Sequence, residues 1–453
     1  MQALGGTGIP GRERWNKVEE LCDRYLGGRP SEGALQVLRN AEQQRPEVRN
    51  FVQRAFQLMA ISKFDPHDLS AFVARFFTVI APGILPEAWG GVVPPFTLPG
   101  RHRKIDAYLR SNEWASFEPG TVMLDVGCGF PPQTSIEAAE AFPEWRIVGL
   151  DPTFEEYLLY DERENYACLD RTGSVRYFQA TRPEEFLRLY SDRAATIQNF
   201  SQAFAQLVPS LPPDDGTLST TEQGGRRLVR HPMSTYERSN LRFVQGGFGS
   251  SGLPEAGIVR SFNVLIYYDA DFRRQAEEWV SRALRPGGLF ICGRDDSESL
   301  NAHYSVYRNE GGRLVEKEFA FGVEMVRHCV WFALHDGERE TWRLANLLGI
   351  LRSDREFLRD YDSRLDALLA ENRLAIRDEH GHVVEPPNPI EPAQAMPLYH
   401  EIVREIEAEF GDRAVAVLQR AGLHAWRNPV GHIAVGVDKR PRSERPPLES
   451  PLK

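Results

Sequence analysis

The stretch TVMLDVGCGFPPQTSIEAAEAFPEWRIVGLDP, residues 121–152, decides the fold of this chain. It opens with an apolar run that predicts a buried strand, and two glycines, Gly127 and Gly129, then break the run. The segment SIEAAEAF favours a helix, and WRIVGLD predicts a second strand that ends on Asp151. A strand, a tight turn, a helix and another strand in this order indicate the first unit of a parallel sheet.

Strand-like and helix-like segments continue to alternate after this unit. The segments LRFVQGG, IVRSFNVLIYYD and GLFICGR predict further buried strands, and residues 272–284 carry an apolar helical stripe that ends at RPGG. Residues 414–437 have the pattern of a helix, a glycine stop and two strands that would close the sheet. Alternation of this kind implies a mostly parallel sheet with helices on both faces.

The remaining segments divide the chain into regions. Residues 1–100 are predicted to be a helical N-terminal region, because apolar residues recur at helical spacing over 13–80. A connector at 82–100 is rich in proline and glycine, which predicts an irregular segment. The core is assigned to 101–437, and the polar, proline-rich tail 438–453 is predicted to be disordered.

Two long insertions interrupt this core, at about 152–240 and 295–411. The first contains a predicted hairpin, NYACLDRTGSVRYFQ, a helical stretch near 184–208 and a loop-like stretch, PSLPPDDGTLSTTEQGG. The second contains another predicted hairpin, HYSVYRNEGGRLVEKEFAF, followed by helices. Both follow core strands, so they are expected to meet above the carboxyl edge of the sheet.

Composition excludes several classes of partner. The chain has 453 residues with a net charge of −10, which gives no general attraction for nucleic acid, and its most apolar window, FFTVIAPGILP, is short and broken by proline. We therefore predict no nucleic-acid partner and no membrane span. The five cysteines are odd in number and form no CxxC pair, which favours a reducing cytoplasm and no metal site.

The glycine turn is suited to hold a ligand. Without a Cβ at Gly127 and Gly129, backbone N–H groups can approach a bound molecule, and the carboxylate of Asp151 can accept both hydroxyls of a ribose. A nucleoside is therefore the expected guest. The dinucleotide fingerprint requires a third glycine for close helix packing, whereas this chain continues with Phe130 and two prolines.

Five motifs occur in a meaningful order: LDVGCG, VGLD, LRFVQG, RSFNVLIYYD and LRPGGLFICG. Together they resemble the nucleotide-site motifs of class I S-adenosylmethionine-dependent methyltransferases, over less than half of the chain. The resemblance implies an α/β fold with a Rossmann-like, mostly parallel sheet, to which this chain adds the N-terminal helices and the two insertions. It implies S-adenosyl-L-methionine as the cofactor.

The resemblance also implies roles for single residues. Gly127 and Gly129, with Cys128 between them as a small turn residue, would pass beneath the methionyl and ribose parts of the cofactor. Asp125 would help to organise that end, and Asp151 would bind the ribose hydroxyls. In the same way, Asn263 would meet the reactive end of the cofactor. Where the family often has an acidic residue that contacts the adenine, this chain has Gly246 and Gly247, so backbone groups or Phe248 would make that contact.

The reaction implied is direct in-line methyl transfer, which requires positioning, desolvation and, for a hydroxyl acceptor, removal of a proton. Four residues near strand ends are candidates for the base: Tyr267, Tyr268, Asp269 and His303. The aromatic content of the insertions favours a small-molecule acceptor in a closed chamber.

Three alternatives stay open at this stage, and one of them is a non-catalytic protein that retains the nucleotide-binding fold. A nicotinamide-dependent oxidoreductase shares the same scaffold. The stretch RSFNVLIYYDADFRRQAEEWVSRALRPGGLFICGRDDSESL is also similar to chemotaxis-receptor glutamate methyltransferases, which would make a protein carboxylate the acceptor.

Overall fold

The computed structural model describes residues 18–44, 46–75, 78, 100–181, 185, 188–189, 192–296, 300–331, 333, 335 and 338–436. Nearly all of the predicted connector and the whole predicted tail lie outside these ranges.

The chain alternates between helices and strands, in keeping with its sequence pattern. The helices are α1 (Val18–Tyr25), α2 (Glu32–Arg39), α3 (Pro46–Ile61), α4 (Ala71–Arg75), α5 (Arg103–Ser111), α6 (Gln133–Ala141), α7 (Arg193–Leu207), α8 (Ala270–Ala283), α9 (Arg339–Ser353), α10 (Arg355–Glu371) and α11 (Pro392–Arg420). The strands are β1 (Val122–Val126), β2 (Arg146–Asp151), β3 (Tyr157–Tyr160), β4 (Tyr166–Leu169), β5 (Val175–Gln179), β6 (Ser219–Gln223), β7 (Arg226–Arg230), β8 (Leu241–Gln245), β9 (Ala256–Phe262), β10 (Leu284–Arg294), β11 (His303–Asn309), β12 (Leu314–Phe321), β13 (Ile376–Arg377), β14 (Val383–Val384), β15 (Ala425–Arg427) and β16 (Ile433–Gly436).

A nine-stranded sheet organises the described residues, in the order β15-β16-β12-β11-β10-β9-β1-β2-β8. Five neighbouring strands, from β8 to β10, pair in parallel, which confirms the predicted Rossmann-like α/β sheet. From β1 the chain moves outward through β2 to β8 and then returns to β9 on the other side of β1. The connections therefore diverge between β1 and β9, which is where open α/β sheets bind their ligands.

The other four strands extend the sheet in antiparallel fashion. The predicted hairpin of the second insertion forms β11 and β12, but it pairs with β10 and β16 inside the main sheet. The expectation that it would lie above the carboxyl edge is therefore wrong. Periodicity identifies a half-buried strand but does not fix which neighbour it pairs with. The strand pair near the C-terminus, β15 and β16, does close the sheet.

The first insertion forms a separate antiparallel sheet in the order β5-β4-β3-β7-β6. Its predicted hairpin is confirmed as β4 and β5, and α7 covers one face through Phe200 and Leu207. The stretch expected to be a loop contains β6, an edge strand with little buried surface. Strand β6 consists of polar residues, so hydrophobic patterning could not reveal it.

The N-terminal region is helical as predicted, from α1 to α4. These helices share an apolar cluster that also takes in Ile266, Cys329 and Trp331 from the core. A second cluster joins β12 to α9, α10 and α11. Helix α11 has 29 residues, yet no helix among the described residues has an apolar stretch long enough to cross a membrane.

Candidate cofactor site

The glycine turn leaves β1 and enters α6 at the point where the sheet connections diverge. Gly127 and Gly129 have φ angles of +76° and +71°, which L side chains rarely adopt. The N–H of Gly127 donates to the carbonyl oxygen of Leu150 at 2.7 Å, which ties the turn to the end of β2. The geometry thus explains why both positions are glycine.

Gly127 also faces Val264, the second residue after β9. A Cβ at this position would lie 2.2 Å from Cγ2 of Val264, well inside van der Waals contact. The turn therefore packs directly against the strand on the far side of the switch point. Any ligand above Gly127 lies close to the ends of both strands.

Asp151 ends β2, as predicted, and its carboxylate reaches across to the turn. Oδ2 accepts a hydrogen bond of 2.7 Å from the N–H of Gly129, and Oδ1 accepts one of 2.9 Å from the N–H of Thr153. The Thr153 hydroxyl donates to Oδ1 as well. Burial raises the pKa of Asp151, although these hydrogen bonds oppose the shift. About one of the four acceptor positions of this carboxylate remains for a further donor.

Asp125 bonds to four protein groups, and its role at the cofactor remains a prediction. It lies against Arg260, with Nε to Oδ1 at 2.9 Å and Nη2 to Oδ2 at 2.8 Å. The hydroxyls of Thr134 and Ser135 donate to Oδ2. Burial alone would raise the pKa of Asp125, but the charge and hydrogen bonds of Arg260 outweigh it and lower the pKa to about 2. Asp125 therefore links the end of β1 to Arg260 and to the start of α6, on either side of the glycine turn in the sequence.

Thr134 and Glu137 have the spacing of a capping box, but no capping box forms. Helix α6 begins directly after Pro132, which is the N-cap, and it has no side-chain cap. The Thr134 hydroxyl bonds to Asp125, and the Glu137 carboxylate accepts from the N–H of Gly100. A hydrogen bond to the buried, charged carboxylate of Asp125 is stronger than a capping bond with a backbone N–H, so the Thr134 hydroxyl bonds to Asp125.

Asn263 lies at the carboxyl end of β9, in a left-handed conformation with φ +56°. Its amide bridges to the end of β10: Nδ2 donates to the carbonyl oxygen of Asp295 at 2.8 Å, and Oδ1 accepts from the N–H of Asp295 at 3.3 Å. Asn263 is thus at the predicted strand end, but its polar atoms hold two strands together. Its contact with a cofactor remains a prediction.

Phe248 follows β8 in a loop beside Asp151, whose carbonyl oxygen accepts from the N–H of Gly246. The ring of Phe248 makes edge contacts with Phe272 at 6.2 Å and Trp279 at 5.7 Å. It therefore packs against α8, and adenine contact by this ring remains a prediction.

Cys128 is a buried thiol within the turn. Burial raises its pKa well above the ordinary value, so it is a poor nucleophile, in keeping with its interpretation as a small turn residue. All five cysteines are buried, and none forms a disulfide.

The first insertion contacts the glycine turn directly. Phe130 is buried between Tyr166 and Tyr236, with ring centroids 5.5 Å and 5.9 Å away. The Tyr166 hydroxyl also lies 2.7 Å from the carbonyl oxygen of Phe130. The antiparallel sheet thereby holds one wall of the candidate site in place.

The four candidate bases are in different environments. Asp269 caps α8 by accepting from the N–H of Phe272, and Tyr268 stacks on the same phenylalanine at 4.0 Å. His303 is buried, which lowers its pKa to about 3 and keeps it neutral. Burial raises the pKa of Tyr267 to about 12. Tyr267 and His303 are therefore poor bases near pH 7, whereas Tyr268 and Asp269 are exposed at the start of α8, and no contact among the described residues singles out a base.

Sequence reasoning missed two buried polar residues beyond the switch point. His102 and Asp295 are 3% and 0% exposed, and their nearest polar atoms, Nε2 and Oδ1, are 3.5 Å apart. Neither side chain makes a hydrogen bond. The basic cluster RHRK, residues 101–104, is typical of a solvated loop, but His102 is the N-cap residue of α5 and its ring packs against Phe262. The acidic residue directly after an apolar strand was the available signal for Asp295.

Comparisons with known proteins give a likeness of fold. No family model and no curated protein matches the chain. Solved structures that match include an O-methyltransferase family 2 protein from Planctomyces limnophilus in complex with apigenin, at 17% identity over 62% of this chain and 67% of that one, with a TM-score of 0.22. Another is PKMT2 from Rickettsia typhi in complex with AdoHcy, at 13% identity over 44% and 26%, with a TM-score of 0.21.

A third match is the precorrin-6y C5,15-methyltransferase from Geobacter metallireducens, at 16% identity over 39% of this chain and 54% of that one, with a TM-score of 0.17. Two of these three structures are named as methyltransferases, and the third contains AdoHcy. At these identities and TM-scores, conclusions about the site depend on its own geometry.

Proposed function

We propose that this chain is a cytoplasmic methyltransferase that uses S-adenosyl-L-methionine to methylate a small molecule by direct transfer. The observation that carries the proposal is the bond between the N–H of Gly129 and the carboxylate of Asp151, at the switch point of a parallel sheet. It supports the proposal because a carboxylate that could accept ribose hydroxyls lies beside the glycine turn, at the edge where open α/β sheets bind ligands.

The turn suits a nucleoside cofactor without phosphates. A dinucleotide directs its pyrophosphate at the N–H groups where a helix begins. Here Pro131 and Pro132 supply no N–H, and the N–H of Gly129 already donates to Asp151. These features disfavour the nicotinamide-dependent alternative.

Each wall of the site would have a distinct task. Asp151 would bind the ribose after the Thr153 hydroxyl turns away, Gly127 and Gly129 would support the methionyl part, and Phe248 would contact the adenine. The bound cofactor would supply an electrophilic methyl group. Asp125 and Arg260 would keep the turn in shape without touching the cofactor, and Asn263 would fix the ends of β9 and β10 beside it.

A turnover assay tests this function without knowledge of the acceptor. The protein is incubated with S-adenosylmethionine and a fractionated small-molecule extract, and S-adenosylhomocysteine is measured by mass spectrometry. We expect product that depends on both the extract and the protein. The Gly129→Val variant, which puts a branched side chain at φ +71°, should form none, whereas Cys128→Ala should retain most activity. Product formation only with intact proteins as acceptors would contradict the small-molecule proposal.

A further inference from the structure

A cavity of about 290 Å³ lies between the N-terminal helices and the last third of the described chain. Its walls are mostly apolar, with Leu365 and Leu369 from α10 and Ile402, Val403 and Ile406 from α11. The volume approaches the lower limit for pockets that enclose small organic ligands. Its walls come from the second insertion and the N-terminal region, whereas a chamber between the two insertions was expected.

The cavity adjoins the carboxyl edge of the sheet. His328 and Cys329 line it, and they also line a narrow crevice that contains Arg294, the last residue of β10. A ligand in the cavity would therefore lie toward the same edge of the sheet as the glycine turn.

Most charged groups at the cavity are already paired. Arg327 bonds to both Asp68 and Asp366, and Arg377 bonds to the same two carboxylates. Two positive and two negative charges thus balance one another. Burial lowers the pKa of His328 to about 4, so this imidazole is neutral near pH 7.

Glu324 is the exception. Glu324 is only 6% exposed. Its Oε1 accepts one hydrogen bond of 3.0 Å, from the N–H of Asn301. Among the residues that the structure describes, no lysine, arginine or histidine forms an ion pair with it. The nearby ammonium group of Lys104 forms an ion pair with Glu407. A Cβ at Gly322 would lie 2.1 Å from Oε1 of Glu324, so the glycine makes room for this carboxylate.

A buried carboxylate without an ion-pair partner is costly unless it takes up a proton or a ligand supplies the missing charge. We propose that this cavity binds a small, mainly apolar organic molecule through an ammonium group that pairs with Glu324. The inference concerns binding alone, and it does not depend on the proposed methyl transfer.

The surroundings of Glu324 suit a cation. Tyr361 and Tyr399 line the same cavity, and aromatic rings attract an ammonium group. Burial raises the pKa of Glu324 to about 7, only partly opposed by Lys104. A bound ammonium would restore the ionised form, so amines gain an interaction that neutral molecules of the same shape do not.

Paired probes test this proposal. Binding of a graded series of primary amines, beginning with 2-phenylethylamine, is compared by calorimetry with binding of the matching alcohols, beginning with 2-phenylethanol. We expect at least one amine to bind the wild-type protein about tenfold or more tightly than its alcohol, and Glu324→Gln to remove that preference. Asp271→Asn, at an exposed carboxylate on α8, should leave it unchanged.

A second variant tests whether the probes bind in this cavity and leaves the charge of Glu324 unchanged. Leu369→Trp fills the cavity from a half-buried position on α10, so it should fold and lose both amine and alcohol. The proposal is overturned if no amine in the series binds, if each amine and its alcohol bind equally, or if Glu324→Gln keeps the amine preference. The assay contains no S-adenosylmethionine, so its result is separate from that of the turnover assay.

Discussion

Arg260 and Asp125 form a buried pair that joins β9 to the end of β1 directly beneath the glycine turn, with Nη2 and Oδ2 2.8 Å apart. Arg260 is 0% exposed and also bonds to Asp106 at 2.6 Å and to the carbonyl oxygen of Thr134. The guanidinium thus fixes β9, β1, α5 and the start of α6 together. The shape of the candidate site depends on this one side chain.

Removal of this guanidinium should destabilise the protein strongly. Arg260→Met leaves two buried carboxylates without their partner, and we expect the free energy of unfolding to fall by about 3–5 kcal/mol. Urea unfolding at pH 7 measures the loss. Arg238→Met, at an exposed ion pair with Glu140, serves as the control and should cost less than about 1 kcal/mol. Equal losses of unfolding free energy in the two variants would show that the buried pair stabilises the protein no more than the exposed pair does.

Gly127→Ala should cost more than its backbone conformation alone explains. The new Cβ meets Val264 at 2.2 Å in addition to the strain of φ +76°. Gly216→Ala is a matched control, because Gly216 has φ +78° with open space around the Cβ position. We expect that control to lose about 1–2 kcal/mol, the cost of the left-handed conformation. The double variant Gly127→Ala/Val264→Ala should recover part of the difference, and no recovery would rule out the steric account.

His303 should make stability depend on pH. Its pKa is about 3 in the folded protein, because of burial and then the charge of Arg294, against an ordinary value near 6.5. A lowered histidine pKa gives stability that is complete above pH 6.5 and is lost as the pH falls. Between pH 6.5 and pH 5 the wild type should lose about 2 kcal/mol more than His303→Gln. Parallel stability curves for the two proteins would contradict this.

Local features of the sequence were sufficient to predict much of the fold. The apolar runs of β1 and β2, the glycine turn and the final Asp151 all depend on neighbouring residues, and the structure places them as expected. Backbone conformation explains this success, since a tight turn with positive φ requires glycine in almost any context. The helical N-terminal region followed from periodicity in the same way.

Long-range partners were beyond the reach of the sequence. Asp125 and Arg260 form an ion pair although they are 135 positions apart in the sequence. The side-chain amide of Asn263 donates to the carbonyl oxygen of Asp295, 32 positions away. A single arginine inside an apolar strand, as in AGIVRSF, is typical of a buried ion pair, but the pattern does not identify the partner. The cavity at Glu324 was equally hidden, because its walls come from segments that meet only in the folded chain.

The most direct test of the central claim is calorimetric binding of S-adenosylhomocysteine to the wild-type protein and to Asp151→Ala. The wild type should bind this molecule and not NAD or NADP. The variant should bind about 10-fold to 150-fold more weakly, which corresponds to about 1.5–3 kcal/mol for a charged hydrogen-bond partner. Asp271→Ala, on the exposed surface of α8, should bind as the wild type does. Unchanged affinity in a folded Asp151→Ala protein, or a wild type that binds NAD in place of S-adenosylhomocysteine, would contradict the account.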